Sequence, residues 1–251
     1  MPKYLHGSLT GCLLLLGLSV SRHAGDLAST IKLLESGIEI TIHEKLATNQ
    51  LKLTRFNNLI QSVILKQEDQ EIALEITPYP THWEIDLGKH RTPKGSTVLI
   101  STQGKPIQSG TSIVVEPAED GRLLLHAHQA VTVGENLRYE PQPNKNTLGY
   151  WTHPEDYPEW LFQVPKTGKY RVIIHQACSP DQAGSRAEIR VGEEILRFKV
   201  KNTGSFQQFE ARKAGTLNLE SADAQSLQVH ITRLAKNAAM DLRLIELIPI
   251  N

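Results

Sequence analysis

Along most of this chain apolar and polar residues alternate with a period of two, the pattern of strands that bury one face. In the first half the alternation runs through Ile38-Ile40-Ile42, Leu51-Leu53, Val63-Leu65, Ile72-Leu74-Ile76, Trp83-Ile85-Leu87, Val98-Ile100 and Ile113-Val115. Turn residues separate these runs, at Asn57-Asn58 and at 78–80, 93–95 and 104–110. Many short strands with frequent turns predict a β-sandwich. Only residues 27–35 carry a helical spacing, and briefly. Trp83 alternates in phase with Ile85, which predicts a core position. Residues 116–121 are polar, with a proline and a glycine, and mark a domain boundary.

Beyond that boundary the alternation resumes. Leu123-Leu125 and Val131-Val133 come first, then a long turn over 140–149. Later runs are Ala187-Ile189-Val191, Ile195-Phe198-Val200, Phe206-Phe209, Leu217-Leu219 and Leu227-Val229-Ile231. The final run, 242–248, is almost continuously apolar, as a strand covered on both faces would be. The predicted fold is all-β, with two sandwich domains over 25–116 and 117–251.

The stretch LGYWTHPEDYPEWLFQVPKTGKYRV, residues 148–172, holds two of the chain's three tryptophans. Trp160, Phe162 and Val164 share one strand face, and Tyr170, Val172 and Ile174 share the next. The Pro165 to Gly168 turn between them predicts an antiparallel hairpin. Before it, residues 150–157 form a loop rich in aromatic, acidic and histidine side chains. A decorated loop on a rigid frame is a common place for a binding site.

The formal net charge of the 251 residues is zero, which argues against nucleic acid and anionic membrane as partners. Lys3 and His6 precede an apolar run over 9–20, followed by small residues, the order of a secretory signal peptide. Cleavage after Ser21 or after Ala24 fits, and the expected location is secreted or periplasmic. Cys12 lies inside that run with most of the apolar residues after it, whereas a lipoprotein signal has them before the cysteine, so no lipid anchor is expected. Cys178 then remains as the single cysteine of the mature chain, and reads as a small buried residue. Nothing after the signal is long and apolar enough to cross a bilayer.

The chemistry-bearing residues narrow the function further. Glu155 and Asp156 are adjacent, so their carboxylates point apart and do not make the facing pair of a glycosidase. No Gly-x-Ser-x-Gly or His-Glu-x-x-His motif occurs. These observations favour a non-catalytic protein. The aromatic loop favours sugar binding, because a pyranose lays its C–H face on an aromatic ring while its hydroxyls seek hydrogen-bond partners. Tyr150, Trp151 and Tyr157 are the candidate rings, with Glu155, Asp156 or Arg138 as polar partners. Tyr150 and Trp151 read equally well as core residues; Trp160, in strand phase, reads as core.

The segments LLLHAHQAVTVGENLRYEPQPNKNTLGYW, HQACSPDQAGSRAEIRVG, NTGSFQQFEARKAGTLNL and AAMDLRLIELIP resemble the non-catalytic C-terminal β-domain of secreted bacterial sulfatases and α-L-fucosidases, over residues 121–251. More distantly the region is similar to the galactose-binding-like jelly rolls of family 6 carbohydrate-binding modules. That resemblance implies a sugar cleft formed by Tyr150 and Trp151, by Thr203-Gly204 with Phe206, and by Asp241, and it implies a polysaccharide or oligosaccharide as partner. The chain departs from the pattern at Phe206, where tryptophan is usual, and at Asp241, where asparagine is usual. Two glutamates that help hold a structural calcium are replaced by His126-Ala127-His128. Imidazole is a poor ligand for a hard cation, so no cofactor is expected and a structural calcium is disfavoured. The Cys178-Ser179-Pro180-Asp181-Gln182 segment lacks the spacing and arginine of a sulfatase active site, so the resemblance is to the appended domain alone. The alternative is a structural or protein-interaction domain derived from such a tail.

Overall fold

The computed structural model describes residues 29–44, 46, 48–67, 70–90, 94–111 and 113–250. The expected signal segment and Cys12 lie outside these residues. The alternating runs become strands. β1 (Ser29–Leu34), β2 (Gly37–Ile42), β8 (Thr97–Thr102), β4 (Ile60–Gln67) and β5 (Gln70–Ala73) form one sheet in that spatial order. β3 (Gln50–Thr54), β7 (His82–Asp86) and β6 (Glu75–Pro78) form the sheet that faces it. Ile38, Ile40, Ile42, Leu65, Trp83, Ile85, Val98 and Ile100 fill the space between them.

Two local readings change here. Residues 29–34 are a strand paired in register with β2, from Ser29 opposite Ile42 to Leu34 opposite Gly37, rather than a helix. A neighbouring strand supplies the hydrogen bonds a short isolated helix would have to make alone. The Ile72-Leu74-Ile76 run breaks at Leu74, so that β5 and β6 belong to opposite sheets.

The second sandwich pairs two larger sheets. One runs β12 (Arg138–Glu140), β13 (Thr147–Gly149), β20 (Asp241–Ile250), β15 (Gly168–Ala177), β18 (Glu210–Leu219), with β10 (Leu123–His126) also on β20. The other runs β11 (Val131–Val133), β14 (Tyr157–Val164), β19 (Ala222–Arg233), β16 (Arg186–Val191), β17 (Glu194–Lys199). The chain passes back and forth between these sheets from β14 onward, which makes the unit a jelly roll. β9 (Val114–Val115) pairs in parallel with β14, so this run belongs to the second sandwich and not to the first. Phe206 to Phe209 form no strand, and the 140–149 turn is bracketed by the β12–β13 hairpin.

The expected hairpin of residues 157–174 is not one. β14 pairs with β11 and β19, whereas β15 pairs with β18 and β20. The proline-glycine turn carries the chain across the core from one sheet to the other. Tyr170 and Trp160 therefore enter the same core from opposite sheets. The Trp160 indole reaches the opposite sheet and donates to the His126 carbonyl at 2.8 Å. Trp160→Phe is expected to lower stability by about 2–3 kcal/mol in urea unfolding, from the lost bond and the small void together.

The two sandwiches meet through buried polar contacts. Arg55, between β3 and β4, is 1% exposed. Its guanidinium donates to Ser109 Oγ at 3.0 Å and across the junction to Thr132 Oγ1 at 2.9 Å. Burial pulls the Arg55 pKa down to about 10. The Gln142 amide donates to the Ile76 carbonyl at 2.9 Å, and the Ile60 N–H to the Pro141 carbonyl at 3.2 Å. No helix among the described residues is long and apolar enough to cross a membrane.

Candidate functional site

Strand register decides which loops share an end of the jelly roll. Leu148 lies opposite Leu242, Ala177 opposite Asp241, and Gln176 opposite Glu210. The residues after β13, after β15, before β18 and before β20 therefore gather at one end. That end holds Tyr150, the 203–209 turn with Phe206, and Asp241. The turn is tied down by the Cys178 N–H donating to Thr203 Oγ1 at 2.8 Å and the Thr203 N–H donating to the Cys178 carbonyl at 2.9 Å. Gly204 takes φ +99°, which a side chain would resist.

Tyr150 is the exposed ring of this end, with 46% of its surface open. Its backbone sits at φ +57°, a left-handed conformation that costs a tyrosine about 1 kcal/mol or more. The surroundings fix it there: the Thr152 N–H donates to the Tyr150 carbonyl at 2.9 Å, and the Ala239 N–H to the Trp151 carbonyl at 2.9 Å. The Arg138 guanidinium lies 3.4 Å from the Tyr150 ring centroid, and Lys145 Nζ lies 5.9 Å from it. Cations over an aromatic face are held by the ring's quadrupole.

Beneath Tyr150 sits a charged cluster. A Cβ on Gly149 would lie 2.4 Å from Glu140 Oε1 and 3.2 Å from Asp241 Oδ1, so both carboxyl groups crowd the α-carbon of this glycine. Lys145 donates to Glu140, and Arg243 donates to the Lys145 carbonyl at 2.6 Å while stacking on Phe209 at 3.5 Å. Burial pushes the Asp241 carboxyl up to about 8, and the Glu140 carboxylate adds to the shift against the pull of Lys145 and Arg243. Burial works against charge on Lys145, but its bond to Glu140 holds its pKa above the ordinary value. At neutral pH Asp241 is therefore mostly a neutral acid, a group with one hydrogen to donate and oxygens to accept.

Two expected site residues turn inward. Trp151 is 1% exposed, packs in the second core and donates its indole N–H to the Asp156 carbonyl at 2.8 Å. The left-handed Tyr150 sends the two neighbouring rings opposite ways. Asp156 is also 1% exposed, and its carboxylate accepts the N–H groups of Glu135, Asn136 and Leu137, each at 2.8 Å. Gly134, at φ +119°, leaves room for it; a Cβ there would lie 2.0 Å from Asp156 Oδ1. Asp156 is the anchor of the 134–137 turn and offers nothing to a ligand. Tyr157 opens β14 in the opposite sheet, with its ring 4.5 Å from that of His230. Phe206 is half-buried against the second core. Of the expected set, Tyr150, Phe206 and Asp241 lie at this end, Trp151 and Asp156 are buried, and Tyr157 lies on the opposite sheet.

Glu140, Lys145, Arg243 and Tyr79 escaped the sequence reading. The alternation of Arg138-Tyr139-Glu140 carries a signal, because it predicts a strand that runs into the start of the expected 140–149 turn. His126 and His128 do not share a strand face: residues 127–129 form a 3₁₀ turn and the rings stack at 5.3 Å. Among the described residues no group of three His, Cys, Asp or Glu could hold a metal ion. Cys178 is buried as expected, and burial pushes its thiol up to about 11. A groove of about 540 Å³ opens at the opposite end of the jelly roll, beside Lys169, Glu193 and Asn218, and has no aromatic lining.

No family model matches the chain, and no curated protein does. Among solved structures, the chain is similar to a family 35 carbohydrate-binding module from Clostridium thermocellum, at 16% identity over 51% of this chain and 98% of that one, TM-score 0.44. It is similar to an α-L-fucosidase from Vibrio sp. strain EJY3 at 13% identity, over 86% of this chain and 38% of that one, TM-score 0.37. It is also similar to the C-terminal CBM6 module of a marine laminarinase from Zobellia galactanivorans, at 18% identity over 51% of this chain and 98% of the module, TM-score 0.42.

Proposed function

We propose that this chain is an exported, non-catalytic saccharide-binding protein, and that its jelly roll binds at the end bearing Tyr150, Asp241 and Phe206. One observation carries the reading: a half-exposed tyrosine held in a strained backbone conformation beside a neutral acid and paired charges. Strain is kept where the surroundings over-determine it, and such positions cluster at ligand sites. The exposed part of the ring meets the C–H face of a sugar. Asp241 and Glu140 supply a donor and acceptors for its hydroxyls. Trp151 and Asp156 support the loop from beneath. An accessory role in polysaccharide degradation fits a non-catalytic module of this kind.

An open site with a single aromatic platform gives weak binding, with a dissociation constant of roughly 10 µM to 1 mM. The test is a broad glycan array followed by titration calorimetry. Tyr150→Ala is expected to weaken binding at least about ten-fold, a loss of about 1.4 kcal/mol, with melting unchanged. Equal binding by wild type and Tyr150→Ala rejects the site. The burial of Trp151 favours a second reading, a protein-interaction domain, and binding to no glycan on the array selects that reading instead.

A further inference from the structure

Arg138 has five N–H donors and an unusual absence of acceptors. Among the described residues it forms no ion pair and no side-chain hydrogen bond, and its Nε is buried without a partner. Its visible interactions are with rings. It lies 3.4 Å from the Tyr150 centroid and 5.7 Å from that of Tyr79. Tyr79 belongs to the other sandwich, on the turn between β6 and β7, where its ring stacks on His82 at 4.7 Å and 4°. The Tyr79 N–H donates to the His82 carbonyl at 2.8 Å, which fixes that turn. A guanidinium thus sits between aromatic side chains from two sandwiches whose junction is itself held by Arg55, Gln142 and Ile60.

We propose, building on the saccharide reading above, that the binding site spans both sandwiches, with Tyr79 as its second wall, and that Arg138 takes the anionic group of an acidic sugar, a uronate carboxylate or a sulfate ester. A guanidinium stacked on a ring keeps its N–H fork free in its own plane, and that fork matches the paired oxygens of a carboxylate or sulfate. The Arg138 Nη groups form no hydrogen bond or ion pair with the described residues, so an anion that reaches them gains charge-assisted bonds without displacing an existing pair. The neighbouring charges agree in sign. Around Tyr150 and Gly149, Arg138, Lys145 and Arg243 outnumber Glu140 when Asp241 keeps its proton. A neutral sugar would offer the guanidinium only uncharged acceptors, which bond it more weakly. A jelly roll without the first sandwich would lack Tyr79.

The experiment uses the full mature chain and titration calorimetry with matched pairs. One pair is a galacturonate oligosaccharide and its methyl ester; the other is a sulfated galactan oligosaccharide and its desulfated form. The expected result is at least ten-fold tighter binding of one acidic member than of its neutral partner, and which pair responds identifies carboxylate or sulfate. Arg138→Met should erase the preference for the acidic member of the pair, and Arg138→Lys should restore only part of it, because a point charge lacks the fork. Tyr79→Ala should weaken the acidic ligand about three- to ten-fold. A readout that needs no variant is salt. Acidic-ligand affinity should fall between about 50 mM and 500 mM sodium chloride, and neutral-ligand affinity should hold. Equal affinity for charged and neutral members overturns the role of Arg138, and an unaffected Tyr79→Ala overturns the shared site. If Tyr150→Ala abolishes binding while Arg138→Met and Tyr79→Ala bind as wild type, the saccharide reading stands and this extension falls. If no glycan of either charge binds, both fall.

Discussion

Asp156→Ala is expected to lose about 3–5 kcal/mol of stability, and to lose it without any direct effect on a ligand. The carboxylate is 1% exposed and accepts three consecutive backbone N–H groups at 2.8 Å. Removing it strands the donor of buried Leu137 and leaves those of Glu135 and Asn136, on the exposed part of the turn, to find water only after the turn shifts. Each stranded donor costs about 1–3 kcal/mol, and partial relaxation of the turn keeps the sum below the simple total. Trp151 magnifies the effect, because its indole donates to the Asp156 carbonyl and any shift of residue 156 disturbs a large core side chain. Asp156→Asn keeps one oxygen acceptor and should lose about half as much. Urea unfolding followed by tryptophan fluorescence measures both. A loss under 1 kcal/mol for the alanine variant would reject the anchoring role and reopen Asp156 as a ligand residue.

Asp241→Asn is expected to gain about 2–5 kcal/mol at pH 8 or above, and to gain almost nothing near pH 4. The sign follows from proton counts. In the unfolded chain the carboxyl gives up its proton near its ordinary value, whereas in the fold it does so at about 8. Between these limits the folded state holds one proton more than the unfolded state. Wild-type stability from this group therefore falls as pH rises from about 4 to about 8, then stays at the lower level. An amide cannot ionise and escapes that fall. His128 works in the opposite direction: burial brings it down to about 4, so its contribution rises with pH between about 4 and 6.5. Comparing the variant with wild type at each pH cancels the histidine. Denaturant unfolding at half-unit pH steps gives the difference curve, and a flat curve would refute the raised Asp241 pKa. The same experiment bears on binding, since the acid form donates to a ligand oxygen and the asparagine amide does too.

Period-two patterning made the strands legible because burial of one face is a local property of the sequence. The jelly roll over residues 121–251 followed from the resemblance, and the strand order agrees. Partnership was not legible. The Pro165–Gly168 turn has the same chemistry whether the next strand joins the same sheet or crosses the core, and only distant strands, β19 and β20, decide which. β9 was assigned to the wrong sandwich for the same reason. At the site, Tyr150 and Asp241 were legible as residue types beside strand ends. Trp151 was not, because its direction depends on the positive φ of Tyr150, which nothing in a tyrosine announces. Glu140 and Lys145 hid inside what read as a turn, and Tyr79 lies on another sandwich.

β20 has a temporal consequence. It touches β10, β13 and β15, so it is the centre of its sheet, and it runs to Ile250. A chain emerging N-terminus first has the other strands of that sheet in hand before it has their common partner. Leu123 must then wait for Leu247, its opposite in the register. Pairing over such sequence distances is slow, because loop closure is paid in entropy before any contact repays it. The jelly roll therefore cannot close until β20 has been made.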